Sequence, residues 1–137
     1  MSQIRALPDS DEIRLLTEIG FLASAKGDVA RAEVIFGALL LLRPERAFAH
    51  VGLATALMNA HRAGDAASHL ATARIPAGAD ADMVQAMHGI ALQLDGRISQ
   101  SQRVLREVAR RSDSADEPSD GTRLARKLLG EGPPEKA

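Results

Sequence analysis

Apolar residues recur along most of this chain at intervals of three and four. Ile13, Leu16, Ile19 and Leu22, with Leu15 beside them, form the first such stripe. That period belongs to an amphipathic helix. Asp9 precedes it and Glu12 follows three residues on, a capping-box spacing with Asp as the cap. The stripe closes near Lys26–Gly27, where glycine supplies the left-handed conformation that ends a helix. Asp28 then caps a second helix through Ala32, Ile35, Phe36, Leu39 and Leu40, which Pro44 stops. The pattern predicts a third helix over Ala47–Ala60 and a fourth over Arg62–Ala73. Arg74–Asp80, RIPAGAD, is a breaker-rich loop. A fifth helix is expected over Asp82–Leu94 and a sixth over Arg97–Arg111. No stretch alternates in the manner of a strand, so the fold class is all-α.

Outside these helices the pattern changes. Residues 1–8 read as a loose leader and 9–111 as one helical domain. Ser112–Gly121, SDSADEPSDG, is acidic and turn-rich, and is expected to be a flexible linker. TRLARKLLG, from Thr122, is a candidate short basic helix with Leu124, Leu128 and Leu129 on one side, followed by a disordered tail. Composition agrees with helices: hydrophobic residues make up 45% of the 137 but aromatics only 2%. Ala and Leu are strong helix formers, and a sheet would draw on more β-branched and aromatic residues.

Three helix pairs of similar length invite a search for a repeat. Gly20, Gly27, Ala32, Phe36 and Pro44 define a first set of positions. The same offsets give Ala54, His61, Ala66 and Leu70, then Gly89, Gly96, Ser101 and Leu105. Ala32 to Ala66 is 34 residues and Ala66 to Ser101 is 35. Small residues at Gly20, Ala54 and Gly89, and at Ala32, Ala66 and Ser101, let two helices approach closely. Phe36, Leu70 and Leu105 fill the space between. The frame puts His61 at the second turn with positive φ, a conformation more open to His than to most residues. It puts Gly64 and Asp65 inside the first turn of the fourth helix.

This pattern resembles the tetratricopeptide repeat, whose period is 34 residues. The likeness covers Ile13 to Val108 and is best in the first repeat. His61, Ser101, and Leu16 and Ala23 in place of the family's large aromatics are departures. The resemblance implies three helix-turn-helix repeats stacked as a short right-handed solenoid with a concave groove. In that family the first helix of each pair lines the groove. Carried onto this chain, the groove-facing positions are Arg14, Thr17, Phe21 and Ser24, then Phe48, Val51, Thr55, Met58 and Asn59, then Met83, Ala86, Ile90 and Gln93. The partner-binding residues are expected to be Phe21, Phe48, Val51, Thr55, Met58, Asn59, Met83 and Ile90. Methionine is a deformable contact residue, and such a strip suits an apolar or amphipathic segment of a partner.

Motifs for chemistry are absent. His50, His61, His69 and His88 include no pair at the one-turn spacing of a helical metal site, and no HExxH occurs. There is no phosphate-cradling GK[ST] loop and no G-x-S-x-G elbow. Asp113, Asp116 and Glu117 lie in the expected linker, which holds no catalytic geometry. No catalytic residue, metal site or cofactor is expected, and the chain does not read as an enzyme. Cysteine is absent, so disulfide and thiolate chemistry are excluded. A net charge of -1 gives no general basic field. Arg103, Arg106 and Arg110 share one helix face, but no aromatic stacking residues accompany them, so nucleic acid is not an expected partner. The polar, acidic start and an apolar run no longer than Val34–Leu42 predict no membrane insertion and a cytoplasmic location.

The size, repeat number and wording of LLTEIGFLASAKGDVARAEVIFGALLLLRPERAFAHVGLATAL resemble the tetratricopeptide chaperones of bacterial type III secretion. That resemblance implies a cytoplasmic chaperone that keeps a secreted translocator, needle or filament subunit soluble, with a co-chaperone as a further partner. The alternative is a general tetratricopeptide adaptor or assembly scaffold in a cytosolic complex. An exposed apolar strip also predicts self-association as a homodimer when the partner is absent.

Overall fold

A computed structural model describes residues 8–111 and 117–130. The described chain forms seven α-helices and, among those residues, no strand. They are α1 (Ser10–Ala25), α2 (Val29–Leu42), α3 (Ala47–Asn59), α4 (Ala63–Thr72), α5 (Ala79–Leu94), α6 (Ile98–Ala109) and α7 (Asp120–Leu128). The capping box on α1 forms as expected: Asp9 Oδ1 accepts from the Glu12 amide at 2.9 Å, and Glu12 Oε1 accepts from the Asp9 amide at 2.9 Å. Asp28 caps α2 through the Arg31 amide at 3.1 Å. The turns inside the three helix pairs share one geometry. Gly27, His61 and Gly96 occupy them with φ of 68°, 64° and 82°. The expectation for His61 is therefore met.

The packing order is regular. Each odd-numbered helix touches the helix that follows it and the next odd-numbered helix. Among the described residues no even-numbered helix touches another. The result is a continuous layer of α1, α3, α5 and α7, with α2, α4 and α6 set along it. The predicted small positions are where helices close together. Ala32, Ala66 and Ser101 are buried, as are Gly20, Ala54 and Gly89, and Phe36, Leu70 and Leu105 fill the gaps. A Cβ on Gly20 would lie 2.7 Å from Phe36 Cζ, and one on Gly89 would lie 2.5 Å from Leu105 Cδ2. Ser101 Oγ donates to the Gly89 carbonyl at 2.6 Å, so the third pair closes with a hydroxyl where the others use a methyl group.

Two boundaries depart from the sequence expectation. Helix α5 begins at Ala79, so Ala79 and Asp80 are helical where the loop was expected to run to Asp80. Asp80 Oδ2 accepts from the Ala47 amide at 3.0 Å and pairs with Arg46 Nε at 2.5 Å. It thereby caps α3, whose own N-cap residue Arg46 makes no side-chain capping bond. Partial burial opposes ionisation of Asp80, but the Arg46 side chain and Ala47 amide outweigh it and hold the carboxyl below its ordinary range.

The second departure is at the C-terminal side. Ser119, Asp120 and Gly121 fall in the expected linker but form the cap and first turn of α7. This helix belongs to the fold. Its Ala125 and Leu129 pack with Leu105, Val108 and Ala109 of α6. Gly121 lies so close to α5 that a Cβ would stand 2.4 Å from the Asp82 backbone carbon. Buried Asp82 accepts from Ser119 Oγ at 2.7 Å and from Arg111 Nη1 at 3.2 Å. Thr122 Oγ1 donates to the Val108 carbonyl, and Arg126 Nε to the Ala109 carbonyl. The expected leader up to Leu7, the linker residues Ser112–Asp116 and the tail from Glu131 lie outside the described residues.

Candidate functional site

The expected partner-binding positions lie on the continuous odd-numbered layer. Phe48, Val51, Thr55 and Met58 on α3, and Met83 and Ile90 on α5, are all half-buried. Phe48 leans on the core shared by α1, α2 and α3, while Val51, Met58 and Met83 lean on the core shared by α3, α4 and α5. A residue in this state keeps part of its apolar surface in water while its base is fixed by packing. Thr55 Oγ1 is turned back to the Val51 carbonyl at 2.7 Å, so it offers its methyl group more readily than its hydroxyl. Phe21 on α1 is 36% exposed and meets Phe36 edge-on, with ring centroids 5.0 Å apart. That contact braces an exposed ring against the buried one.

Asn59 has a structural task. Its Nδ2 donates to the Ser24 carbonyl at 2.8 Å and ties the end of α3 to the end of α1. Two further positions assigned to the groove point elsewhere. Ser24 is buried, with Oγ 2.6 Å from the Gly52 carbonyl and 3.1 Å from the Gly20 carbonyl, so it sits between α1 and α3. Ala86 is fully buried. Small residues there serve helix approach: their equivalents in the frame, Met58 and Gln93 for Ser24 and Thr17 and Val51 for Ala86, carry longer or branched side chains and keep surface in water. Arg14 and Gln93 are exposed, and Thr17 is half-buried with its hydroxyl bonded to the Ile13 carbonyl.

The histidines give the arrangement that sequence spacing missed. His50 on α3 and His69 on α4 face each other, with Nδ1 and Nε2 3.2 Å apart. His50 Nε2 faces the Pro44 carbonyl at 3.5 Å. A carbonyl only accepts, so the arrangement that satisfies both contacts protonates His50 at Nε2 and lets His69 Nε2–H donate to His50 Nδ1. Burial lowers the pKa of His50 against a smaller opposing effect of the Pro44 carbonyl. Burial, then repulsion from His50, lowers that of His69. In the third repeat the equivalent positions are Gln85 and Val104. They form no such pair: Gln85 Oε1 is buried with no hydrogen-bond partner among the described residues, beside a cavity of about 300 Å³ walled by Leu70, Val84, His88 and Val104. Burial, then the charge of Arg97, lowers the His88 pKa.

Among the described residues no group of three or more His, Asp or Glu side chains is placed to hold a metal ion. Arg103, Arg106 and Arg110 line an open depression on the outer face of α6 with Ser99 and Gln102. Among the described residues no helix is long and apolar enough to cross a membrane. Comparison with family models, with curated proteins and with solved structures finds no match to this chain.

Proposed function

We propose that this chain is a tetratricopeptide-like binding module whose inner, odd-numbered layer receives an apolar or amphipathic segment of another protein. The observation that carries the reading is the half-buried strip of Phe48, Val51, Met58, Met83 and Ile90 along α3 and α5. Phe48, Val51, Met58 and Met83 are packed against the core while part of each stays in water, the condition of a preformed contact surface that gives up little side-chain freedom on binding. The shared turn geometry at Gly27, His61 and Gly96, and the order of helix contacts, support the repeat frame on which the strip was assigned. In tetratricopeptide arrays the first helix of each pair lines the concave side, and α1, α3 and α5 are those first helices here.

The likeness of the first two helix pairs to type III secretion chaperones extends the proposal to a secreted subunit as the partner. Masking is passive in this reading: the strip covers a segment that would otherwise self-associate, and no nucleotide or metal takes part. Phe48→Glu with Met58→Glu tests the strip. Partner binding should weaken by about tenfold or more, while circular dichroism keeps the helical signal. Unchanged binding by a folded variant would remove the strip from the interface. Isolation of the native complex tests the partner class. A single small secreted subunit bound in fixed ratio supports the chaperone; large cytosolic assemblies alone would replace it with an adaptor.

A further inference from the structure

The outer face of α6 carries a line of arginines that the fold leaves unmatched. Arg103, Arg106 and Arg110 are exposed and line an open depression of about 350 Å³ with Ser99 and Gln102. Six other arginines are matched to acids: Arg31, Arg46, Arg62, Arg97, Arg111 and Arg123 each reach a carboxylate. The three on α6 reach none among the described residues. Arg106 Nη2 meets only Gln102 Oε1, at 3.5 Å, and Arg110 Nε only the Arg106 carbonyl, at 3.3 Å. Arg103 has no polar partner among the described residues. The one acid of α6, Glu107, is taken up by Arg111 at 3.3 Å.

Neither packing nor the helix dipole accounts for all of this charge. In the repeat frame Arg103 stands where α4 has Ser68 and α2 has Val34, and Arg106 where they have Ala71 and Gly37. Those residues are uncharged and keep surface in water, so the outer row is built without a cation at these positions. A helix dipole favours cations in the last turn. That suits Arg106 and Arg110, but Arg103 lies in the middle of α6. The excess is also local. From Arg97 to Gly130 the chain has eight Arg and Lys against five Asp and Glu, although the whole chain carries -1.

The geometry of the row says what it suits. Guanidinium groups pair with carboxylates through two parallel hydrogen bonds. Intervals of three and four residues put the three groups on one face. They spread over about 10 Å of helix at a rise of about 1.5 Å per residue. That is longer than one small anion. An acidic helix repeats its side chains at the same rise, so carboxylates at intervals of three and four meet all three arginines. Nucleic acid fits less well, because α6 has no aromatic residue to stack a base. An anionic membrane surface calls for a denser polybasic cluster.

We propose that the outer face of α6, through Arg103, Arg106 and Arg110, docks an acidic helical segment of a partner protein. This site stands on a different helix from the inner strip and does not depend on what that strip binds.

Microcalorimetry with the full chain tests it. The probe is a helical peptide with glutamate at intervals of three and four, and its glutamine counterpart is the control. The glutamate peptide should bind, more weakly as salt rises, and the glutamine peptide should not. Arg103→Gln, Arg106→Gln and Arg110→Gln together should weaken binding about tenfold or more, since exposed ion pairs are each worth a factor of about two to five. Those side chains are exposed and glutamine is a good helix former, so the helical signal should be unchanged. Arg31→Gln, Arg43→Gln and Arg62→Gln together remove the same charge elsewhere and should leave binding as in the wild type. Absence of binding at low salt, or equal loss in the two triple variants, overturns the proposal. So does tighter binding of a single-stranded oligonucleotide or of phosphatidylserine vesicles than of the peptide. Binding that appears only after Asp113→Asn with Asp116→Asn assigns the face to the chain's own acids and overturns the partner as its occupant.

Discussion

Phe36 is the residue on which the first two repeats close. It is fully buried, and two glycines give it room. A Cβ on Gly20 would approach its ring to 2.7 Å, and a Cβ on Gly52 would approach to 2.2 Å. Gly52→Ala should therefore cost about 1–3 kcal/mol through overpacking. Gly37, with nothing within 4 Å of its added Cβ, is the matched control. Gly37→Ala should gain up to about 1 kcal/mol in the middle of α2. Urea denaturation of both variants measures the difference. The role of Gly20 was legible from the repeat frame. That of Gly52 was not, because its equivalents are Glu18 and Met87, and a position used in one repeat alone leaves no periodic trace.

The histidine pair makes a prediction of its own. Folding lowers the pKa of both His50 and His69, so the unfolded chain takes up protons first as pH falls. Stability from the pair is present above the ordinary histidine value, about 6.5. It declines as pH drops through that value towards the lowered folded ones. The thermal midpoint should thus fall between pH 7.5 and 5.5. His50→Gln with His69→Val, the residues of the third repeat, should flatten that slope, with His88 leaving a remainder of the same sign. Nineteen residues separate the two rings in sequence. Their meeting depends on the rotational phase of two different helices, which one-turn spacing rules do not reach.

At the scale of the element, α7 carries the main difference between chain and fold. The sequence pattern supports a short basic helix from Thr122, and the structure starts it at Asp120 and fixes it to α5 and α6. What fixes it is a set of contacts between distant residues: Ser119 with Asp82, Thr122 with the Val108 carbonyl, and Gly121 against the α5 backbone. An acidic, turn-rich stretch gives no sign of them, since each needs the placement of α5 first. Asp82→Ala removes the acceptor of both Ser119 and Arg111. It should cost about 1–3 kcal/mol, as for hydrogen bonds to a charged group. Hydrogen exchange should show the loss concentrated in α7 and the end of α6, with α1 to α3 unchanged. Uniform loss across all helices would mean that α7 does not open on its own.

For the whole molecule, helix number and pairing were readable because caps, breakers and period agree along the first two helices and set the frame for the rest. Asp9, Gly27, Asp28 and Pro44 punctuate them without conflict. The proposed strip was readable only through the repeat frame, and the positions of that frame that keep exposed surface are those whose side chains are long or branched. Phe48, Met58 and Met83 stay at the surface of the odd-numbered layer, whereas Ser24 and Ala86 disappear between helices. Shape thus decides what phase alone leaves open.

The gaps between α2, α4 and α6 have a mechanical meaning. Resistance to bending resides in the layer where α1, α3, α5 and α7 touch, because among the described residues α2, α4 and α6 meet only through it. Such a body behaves as a leaf spring, stiff along its length and compliant in curvature. Small rotations at each helix contact add up from one end to the other. If the odd-numbered layer lines a groove as proposed, a guest slightly thicker or thinner than that groove would be met by a change of curvature, with each pair of helices moving as a rigid link.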